Sequence, residues 1–299
     1  MLIKILSHQT TDDKRVPFTT FFFHLLTMAI KTHHRILMTG AAGSLGTAMR
    51  PKLKAHCDVL RLSDRKSIGV AQSGEEVLTA ELGDEAAVLA LLKDVDAVVH
   101  FGGVSVEGPF GPILQANIIG LYNLYEAARK NGTKRIIFAS SNHATGFYKQ
   151  SETITPLASP RPDGNYGVSK AFGEDISRFY FDRYGIETAC LRIGSCFPEP
   201  KDRRMLASWL SFNDLYRLLM ACLSTPVLGH SIIYGMSKNS VTWWDNSTAN
   251  HIGYVPQDSA DSYRDAIYAS TAAPDLTDPV VQFQGGAYVA QGPYATLQG

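Results

Sequence analysis

Residues 35–50 read RILMTGAAGSLGTAMR, an apolar run followed by a glycine-rich turn and the start of a helical segment. The run at 35–39 predicts a buried strand, and residues 44–56 predict a helix. Glycines let the backbone turn tightly and approach a pyrophosphate, and the helix N-terminus supplies N–H donors. The spacing arises by chance in roughly one such chain in six, so a plain glycine-rich turn is the alternative. Its position between strand and helix favours a dinucleotide site formed by Gly40, Gly43, Ser44, Leu45 and Gly46.

Strand and helix patterns alternate through the first two thirds of the chain. This alternation predicts an α/β fold with a doubly wound parallel (Rossmann) sheet. After Gly194 the regularity weakens into short pieces, which predicts a small C-terminal substrate lobe. We expect an extension outside the fold at 1–33, an NAD-binding domain at 34–195, and mainly the substrate lobe and closing elements at 196–299. Further strands are predicted at 58–62, 78–82, 97–101, 135–139 and 188–193, and further helices at 84–92, 113–131 and 166–184.

Residues 1–33 differ from the rest of the sequence. The stretch 16–30 is apolar and aromatic and follows a basic pair, which is also typical of a signal peptide. No small-residue cleavage site follows, since the next residues begin with Lys31 and Thr32. We therefore favour an extension in front of the domain, with Met28 as a possible working start.

The composition narrows the possible functions. The chain has 299 residues with 28 basic and 28 acidic side chains, a balance that gives no electrostatic footprint for nucleic acid or an anionic membrane. No apolar run reaches the ~18 residues of a transmembrane helix. The four cysteines contain no Cys-x-x-Cys pair, which argues against a disulfide framework or a zinc site. We expect a cytoplasmic enzyme or binding domain for a small molecule, without a metal.

The ends of the other predicted strands suit the same dinucleotide. Asp64 ends the second strand, where a carboxylate can bind both ribose hydroxyls of NAD and repel the 2′-phosphate of NADP. Because of Asp64, NAD is favoured over NADP, although Arg65 follows directly and would partly offset that repulsion. The remaining cofactor residues predicted from strand ends are Glu81 and Leu82, at the adenine end, and Gly102 and Gly103, which allow close approach.

Two Tyr-x-x-x-Lys pairs occur, Tyr166…Lys170 and Tyr234…Lys238. About half a match per chain is expected by chance, so the context has to decide between them. Tyr166 opens a long segment without proline, and residues four apart on a helix share a face, which brings the Lys170 ammonium beside the phenol. Lys238 is followed by a poor helix former, so we reject the second pair.

The chemistry of a Tyr–Lys pair is that of a base. A phenol with a pKa of ~10 is a poor base at neutral pH. A neighbouring ammonium and the positive nicotinamide ring would lower its pKa into a useful range. Ser141, directly after the fifth strand, is the natural hydroxyl to orient the substrate oxygen. We predict Tyr166, Lys170 and Ser141 as the catalytic group.

These motifs together resemble the extended short-chain dehydrogenase/reductase family over about residues 35–207. Within it, a narrower resemblance to the uronate dehydrogenase family runs from about residue 35 to the C-terminus. It is carried by the segments ASSNHATGFY (139–148), RPDGNYGVSK (161–170), LRIGSCFPEP (191–200), WWDN (243–246) and FQGGAYV (283–289).

The resemblance implies an NAD⁺-dependent oxidation of a hexuronic acid, D-glucuronate or D-galacturonate, at C1 to the aldaro-lactone. Tyr166 would take the C1 hydroxyl proton, Lys170 would hold the nicotinamide ribose, and Ser141 would bond the reacting oxygen. Arg204 matches the arginine that grips the substrate carboxylate, a role that suits bidentate arginine geometry. The other positions that match sugar-binding residues are Ser105, Asn142, His143 and Ser195, the last of them near the cofactor as well.

Several alternatives stay open. A nucleotide-sugar epimerase or dehydratase of the same superfamily would use the same tyrosine and lysine, although little chain follows Ser195 for a lobe that grips a nucleotide. If the protein were a non-catalytic sensor of the dinucleotide, we would expect Tyr166 or Lys170 to be replaced, and both are present. Without the family register, Arg204 could belong to a solvated basic loop with Lys201 and Arg203. The preferred sugar stays open, as does a homo-oligomer formed by pairing of the two long helices.

Overall fold

The computed structural model describes residues 33–292 and 294. A seven-stranded sheet with the order β3-β2-β1-β4-β5-β6-β9 forms its centre, and every neighbouring pair is parallel. The predicted doubly wound parallel sheet is thereby confirmed. The segment before the first strand lies outside the described residues. The sheet strands are β1 His33–Thr39, β2 Cys57–Asp64, β3 Glu75–Thr79, β4 Ala97–His100, β5 Arg135–Phe138, β6 Glu187–Ile193 and β9 His230–Gly235, and the two-residue strands β7 Ser195–Cys196 and β8 Trp209–Leu210 pair separately.

Helices cover both faces of the sheet. The predicted helix at 113–131 begins slightly earlier and consists of two α-helices joined by a π-helical turn, Leu114–Ile119. Short 3₁₀ turns include Lys54–His56, Asn142–Thr145 and Gly286–Ala290. The α-helices are α1 Ser44–Leu53, α2 Glu85–Leu91, α3 Phe110–Ile113, α4 Gly120–Asn131, α5 Asn165–Tyr184, α6 Met205–Ser208, α7 Phe212–Ser224, α8 Arg264–Ser270 and α9 Pro279–Gln282.

The apolar strands divide the core into two layers. Successive side chains on a strand point to opposite faces, so Ile36 and Met38 pack on one side of the sheet and Leu37 on the other. All three are fully buried. Strands buried on both faces read as continuous apolar runs, which is why the sequence identified β1 and β4 so clearly.

Among the longer elements, one strand is displaced from the sequence expectation and two elements were not predicted. The third strand occupies Glu75–Thr79 and not 78–82, because it pairs as an edge strand with β2 in the register Asp64↔Thr79. Helix α7 and strand β9 were not predicted at all. Leu215, Leu218 and Cys222 bury α7 against the same core layer as Ile36, and β9 extends the sheet beyond β6. The chain after Gly194 therefore contributes a helix and a strand to the central layers.

The order of the strands fixes the place of a ligand cleft. The connections reverse direction between β1 and β4, and in open parallel sheets ligands bind at the carboxyl ends of the strands at such a switch point. Thr39 pairs with both Ser63 and His100, so these strands end at the same level. No helix among the described residues is long and apolar enough to cross a membrane.

Candidate functional site

The turn between β1 and α1 requires glycine for steric reasons. Gly40 has a φ of +67°, and a Cβ there would lie 2.6 Å from the carbonyl carbon of Phe101. A Cβ on Gly46 would lie 2.4 Å from the Gly40 carbonyl oxygen. Gly43 is the residue before α1, and no side chain accepts a hydrogen bond from it or from the first N–H groups of the helix as a cap. Those N–H groups are therefore able to bind an anion.

Asp64 is fixed against this turn from the end of β2. One carboxylate oxygen accepts the N–H of Ala42 at 3.0 Å, and the other accepts the N–H of Lys66 at 2.9 Å. Each oxygen keeps a lone pair, so the carboxylate can still accept hydrogen bonds from ribose hydroxyls. The adjacent Arg65 is exposed.

The loop after β4 lies against the glycine turn. Gly103 has a φ of +130°, and a Cβ there would lie 2.6 Å from the amide oxygen of Asn117. A Cβ on Gly102 would lie 3.0 Å from the Leu82 side chain. Glu81 comes directly before Leu82, in the loop after β3. Side chains at Gly102 or Gly103 would collide with Leu82 or Asn117, so these glycines keep the loop close to the switch point, and this fits a bound dinucleotide.

A cavity of about 1000 Å³ opens beside the same turn. Gly43 and Ser44 line one side of it, and Trp209, Phe212 and Tyr263 line the other. The N-terminal end of α1 is therefore reachable by a ligand. Helix N–H groups that can bind a phosphate and a carboxylate that can bind a ribose are the donor set that suits NAD.

Tyr166 and Lys170 lie one turn apart on α5, as predicted. Both side chains are buried, and the Lys170 ammonium lies 5.3 Å from the centroid of the Tyr166 ring. The ammonium donates to the Ala139 carbonyl at 2.7 Å, which ties α5 to the end of β5. Burial lowers the pKa of Lys170 to about 8, and the carboxylate of Glu174 acts in the opposite direction.

The Tyr166 phenol is not activated by its protein surroundings alone. Burial raises its pKa, and a hydrogen bond with Ser141 opposes this rise. The negative charge of Asp163 acts in the raising direction. The Lys170 ammonium donates to the Ala139 carbonyl rather than to the phenol, so the predicted lowering of the phenol pKa needs the positive charge of bound NAD⁺ in addition to that of Lys170.

A residue that the sequence analysis missed caps helix α5. Gly164 precedes α5 and has no side chain to cap it, but Glu107 accepts the N–H of Asn165 at 3.0 Å and that of Tyr166 at 2.8 Å. A Cβ on Gly164 would lie 2.3 Å from the Glu107 carboxylate, so the glycine makes room for this cap. N-caps are ordinarily local in sequence. Glu107 lies 58 residues before Asn165, and no local pattern could have identified it.

The segment after β5 is a 3₁₀ turn that carries Ser141 and His143. The Ser141 hydroxyl accepts the N–H of His143 at 3.2 Å, which fixes the turn. His143 Nδ1 lies 2.7 Å from a carboxylate oxygen of Asp163. The imidazole stacks on Tyr288 with 3.9 Å between ring centroids and meets Tyr166 edge-on at 5.8 Å. Asp163 and Tyr288 therefore belong to the site. Both lie in segments that carry the family resemblance, 161–170 and 283–289, but the sequence analysis did not predict either of them as a site residue.

Arg204 is held at the same edge of the sheet by groups from three other segments. Its Nη1 donates to the Ser195 hydroxyl at 3.1 Å, and its Nε donates to the Gln284 carbonyl at 2.9 Å. With its amide oriented to satisfy both neighbours, Asn142 accepts from Arg204 Nη2 at 2.9 Å and donates to the Ile193 carbonyl at 3.1 Å. Three predicted site residues, Asn142, Ser195 and Arg204, thus form one cluster. Gln284 is a fourth member that sequence reasoning missed.

Two other candidates lie outside this cluster. Arg203 turns to the C-terminal region, where its Nε donates to the Thr271 hydroxyl at 2.9 Å. Ser105 is exposed, two residues before Glu107, and no hydrogen bond joins it to the cluster in the described part of the chain.

The rejected Tyr-x-x-x-Lys pair has a structural role. Tyr234 lies on β9 and Lys238 lies beyond that strand, outside any helix. The Tyr234 hydroxyl accepts from Arg192 at 3.0 Å and lies 3.1 Å from the Thr145 hydroxyl. Arg192 in turn forms a buried ion pair with Glu174 of α5 at 2.8 Å. Tyr234 therefore supports the helix that carries Tyr166 and Lys170.

Comparison with known proteins agrees with this geometry. Residues 36–212 match the NAD dependent epimerase/dehydratase family. The chain is 53% identical to the uronate dehydrogenase of Pseudomonas putida over 268 residues, 89% of this chain and 100% of that protein. Among solved structures, the glucuronic acid dehydrogenase of Chromohalobacter salexigens superposes with a TM-score of 0.86 at 49% identity, covering 87% of this chain and 97% of that one. A variant of the Agrobacterium tumefaciens uronate dehydrogenase in complex with NAD superposes with a TM-score of 0.86 at 48% identity, covering 88% and 99%.

Proposed function

The chain belongs to the NAD-dependent epimerase/dehydratase family and, within it, to the uronate dehydrogenases, and from this premise we propose how its own residues carry out the reaction. It is an NAD-dependent oxidoreductase whose substrate is a hexuronic acid, oxidised at C1 to the aldaro-lactone. The proposal concerns the roles of individual side chains. The observation that carries it is the environment of Arg204.

Arg204 is a partly buried cation that forms no ion pair among the described residues. Its hydrogen bonds go to neutral groups, the Ser195 hydroxyl, the Gln284 carbonyl and the Asn142 amide. Burial lowers its pKa, and the negative charges of Asp202 and Asp163, neither of which forms an ion pair with it, act in the opposite direction. A partly buried charge without an ion pair is costly and marks a candidate functional position. A uronate carboxylate would supply the missing charge, with the guanidinium as its donor.

Proton transfer falls to Tyr166 in this proposal. The phenolate takes the proton of the C1 hydroxyl while the C1–O bond becomes a carbonyl, and the Ser141 hydroxyl orients the reacting oxygen. NAD⁺ supplies the acceptor for the C1 hydride and a positive charge next to the phenol. Lys170 holds the nicotinamide ribose and keeps a positive charge below the phenolate. Asn142, His143, Ser195 and Ser105 bind the sugar hydroxyls.

The cofactor residues follow from the geometry of the turn. The pyrophosphate would lie on the N–H groups of the first turn of α1, and Asp64 would accept from the ribose hydroxyls. The proposed cofactor-binding set is Gly40, Gly43, Ser44, Leu45, Gly46, Asp64, Glu81, Leu82, Gly102, Gly103, Tyr166, Lys170 and Ser195.

The cellular setting and assembly are part of the proposal. Cys190, Cys196 and Cys222 are present as thiols, and we propose the reducing cytoplasm as the setting of the protein. Tyr122 of α4 and Phe179 and Tyr184 of α5 are exposed, and we propose that a second copy of the chain covers these helices. Light scattering on the purified protein would give twice or more the monomer mass if this holds, and the monomer mass if it does not.

The reaction itself is tested by NADH formation. Purified protein is mixed with NAD⁺ and D-glucuronate or D-galacturonate, with glucose and galactose as neutral controls that lack only the carboxylate function. NADH with the uronates alone is the expected result. Absence of NADH, together with NAD retained in the purified protein, would favour the nucleotide-sugar epimerase alternative.

A further inference from the structure

Asp163 carries a buried carboxylate that is only half satisfied. Its side chain is fully buried, and one oxygen lies 2.7 Å from His143 Nδ1. The other oxygen is sealed from solvent and has no hydrogen-bond partner in the described part of the chain. A buried polar atom without a partner costs free energy, so a carboxylate kept here for stability alone would be a poor choice. Its position next to Tyr166 directs attention to the reaction.

Three separate segments leave space for this carboxylate. A Cβ on Gly146 or on Gly285 would lie 1.9 Å from the oxygen that faces His143, and a Cβ on Gly167 would lie 3.1 Å from the other oxygen. Gly146 follows the 3₁₀ turn, Gly167 lies on α5, and Gly285 belongs to the C-terminal segment. The carboxylate is therefore enclosed on several sides by backbone, which holds it against the imidazole.

The imidazole of His143 is also held in a single plane. Tyr288 stacks on one face with an angle of 13° between the rings, and Tyr166 meets it edge-on. Nδ1 faces Asp163, so Nε2 points away from it on the opposite side of the ring. Nε2 makes no hydrogen bond within the described residues, and the side chain keeps 13% exposure. This nitrogen is the polar atom of the ring that is free to meet a ligand.

From this arrangement we propose that Asp163 is a positioning residue that fixes His143 in the Nδ1–H tautomer, so that Nε2 accepts a hydrogen bond from a sugar hydroxyl adjacent to the reacting carbon. A carboxylate accepts only, so it selects the tautomer with a proton on Nδ1. In a neutral imidazole the other nitrogen is then an acceptor. The inference rests on the proposed function, since it needs a sugar bound beside Tyr166.

The variants Asp163→Asn, His143→Ala and the double variant test this coupling. Asp163→Asn is isosteric and removes an unsatisfied charge, so its Tm should equal or exceed that of the wild type. We expect its KM for the uronate to rise at least tenfold, with the KM for NAD⁺ unchanged. In the His143→Ala background, Asp163→Asn should have no further effect on the uronate KM, because the carboxylate acts through the imidazole.

A matched control separates this role from general effects of a buried carboxyl. Asp214 is also fully buried, but its oxygens accept from Arg217, Gln257 and Asp258. Asp214→Asn should lower Tm and leave the uronate KM unchanged. A second readout needs no turnover: nitrogen-15 NMR of the imidazole in the enzyme without substrate should show the Nδ1–H tautomer. The Asp163→Asn variant should show a smaller share of it, because an amide can present its N–H₂ as well as its oxygen to Nδ1.

Three results would overturn the inference while the wild type still oxidises uronates. The first is an unchanged uronate KM in Asp163→Asn. The second is an equal rise of the uronate KM when Asp163→Asn is introduced into the wild type and into His143→Ala. The third is an Nε2–H tautomer in the wild-type spectrum. The second result would mean that Asp163 acts directly through its charge, on Tyr166 or on Arg204. Absence of wild-type turnover with uronates would instead overturn the proposed function, and the spectrum would still decide the tautomer.

Discussion

The cofactor end and the sugar end of the cleft are built in different ways. At the cofactor end, residues 40–46 form one contiguous turn whose required glycines face each other and the adjacent strand ends. At the sugar end the side chains come from distant segments, and Arg204 is held by Ser195 and by Gln284 from the far C-terminal region. The cofactor end is thus one contiguous sequence motif, and the sugar end is formed by side chains from several distant segments.

The two ends differ in how they can recognise their ligands. A contiguous turn can bind the phosphates common to every dinucleotide because backbone N–H groups do the binding. Recognition of one sugar needs several side chains at fixed positions, and here these positions depend on contacts such as Glu107 with α5 and Asp163 with His143. Substitutions at the sugar end should therefore change KM or kcat selectively, while those at the cofactor end should change the choice of dinucleotide.

The largest effect is expected at Tyr166. Tyr166→Phe removes the base and should lower kcat by roughly 10²–10⁴-fold, the usual contribution of a general base. The dissociation constant of NAD⁺, measured by fluorescence titration, should stay the same. Tyr234→Phe is the matched control, since it alters the other Tyr-x-x-x-Lys pair. It should retain kcat and lower Tm through loss of its bonds to Arg192 and Thr145. Equal activity of Tyr166→Phe and wild type would contradict the assignment.

Lys170→Met should stabilise the protein without NAD while abolishing turnover. Burial lowers the pKa of Lys170 from 10.5 to about 8. Between these values the unfolded chain holds a proton that the folded chain has released, so the free energy of unfolding rises with pH in this window. Neutral pH lies below the window, and a cost of about 3 kcal/mol is fully present there. Urea unfolding of the wild type and of Lys170→Met at pH 7 and pH 10 measures the difference in their free energies of unfolding. If Lys170→Met were less stable than the wild type at pH 7, the buried ammonium would not destabilise the folded protein.

Arg204→Ala should raise the KM for uronates by about ten- to a hundredfold, because a charge-assisted hydrogen bond contributes roughly 1.5–3 kcal/mol. Steady-state kinetics with D-glucuronate gives the value. Arg203→Ala is the control, since Arg203 bonds to Thr271 and should leave KM unchanged. If the two variants behaved alike, the carboxylate would have to bind elsewhere.

The smallest effect is expected at Asp64. Asp64→Ala removes the acceptor for the ribose hydroxyls and the repulsion of a 2′-phosphate, so the ratio of kcat/KM for NADP⁺ over NAD⁺ should rise roughly tenfold, equivalent to one lost charge-assisted bond. The loss of its bonds to Ala42 and Lys66 should weaken both dinucleotides together. The ratio is therefore the quantity to compare, and a constant ratio would move the ribose contact to another residue.

The elements that the sequence predicted well share a physical cause. Strands β1 and β4 are buried on both faces, and α5 is a long proline-free segment, so their patterns were unambiguous. The edge strand β3 was displaced by three residues because its side chains are only partly buried. Helix α7 and strand β9 were missed within a region read as turn-rich, although α7 has a clear apolar face against the core.

By itself the sequence determined the alternation of strands and helices, the glycine turn with Asp64 and the Tyr166–Lys170 pair, because each depends on neighbours within one or two elements. Tertiary structure alone decided that Glu107 caps α5, that Asp163 is enclosed by three glycines, and that Gln284 and Tyr288 return to hold Arg204 and His143. These contacts join residues far apart in the chain. Their partners are chosen by where the sheet brings the strand ends together, and no local pattern records that choice.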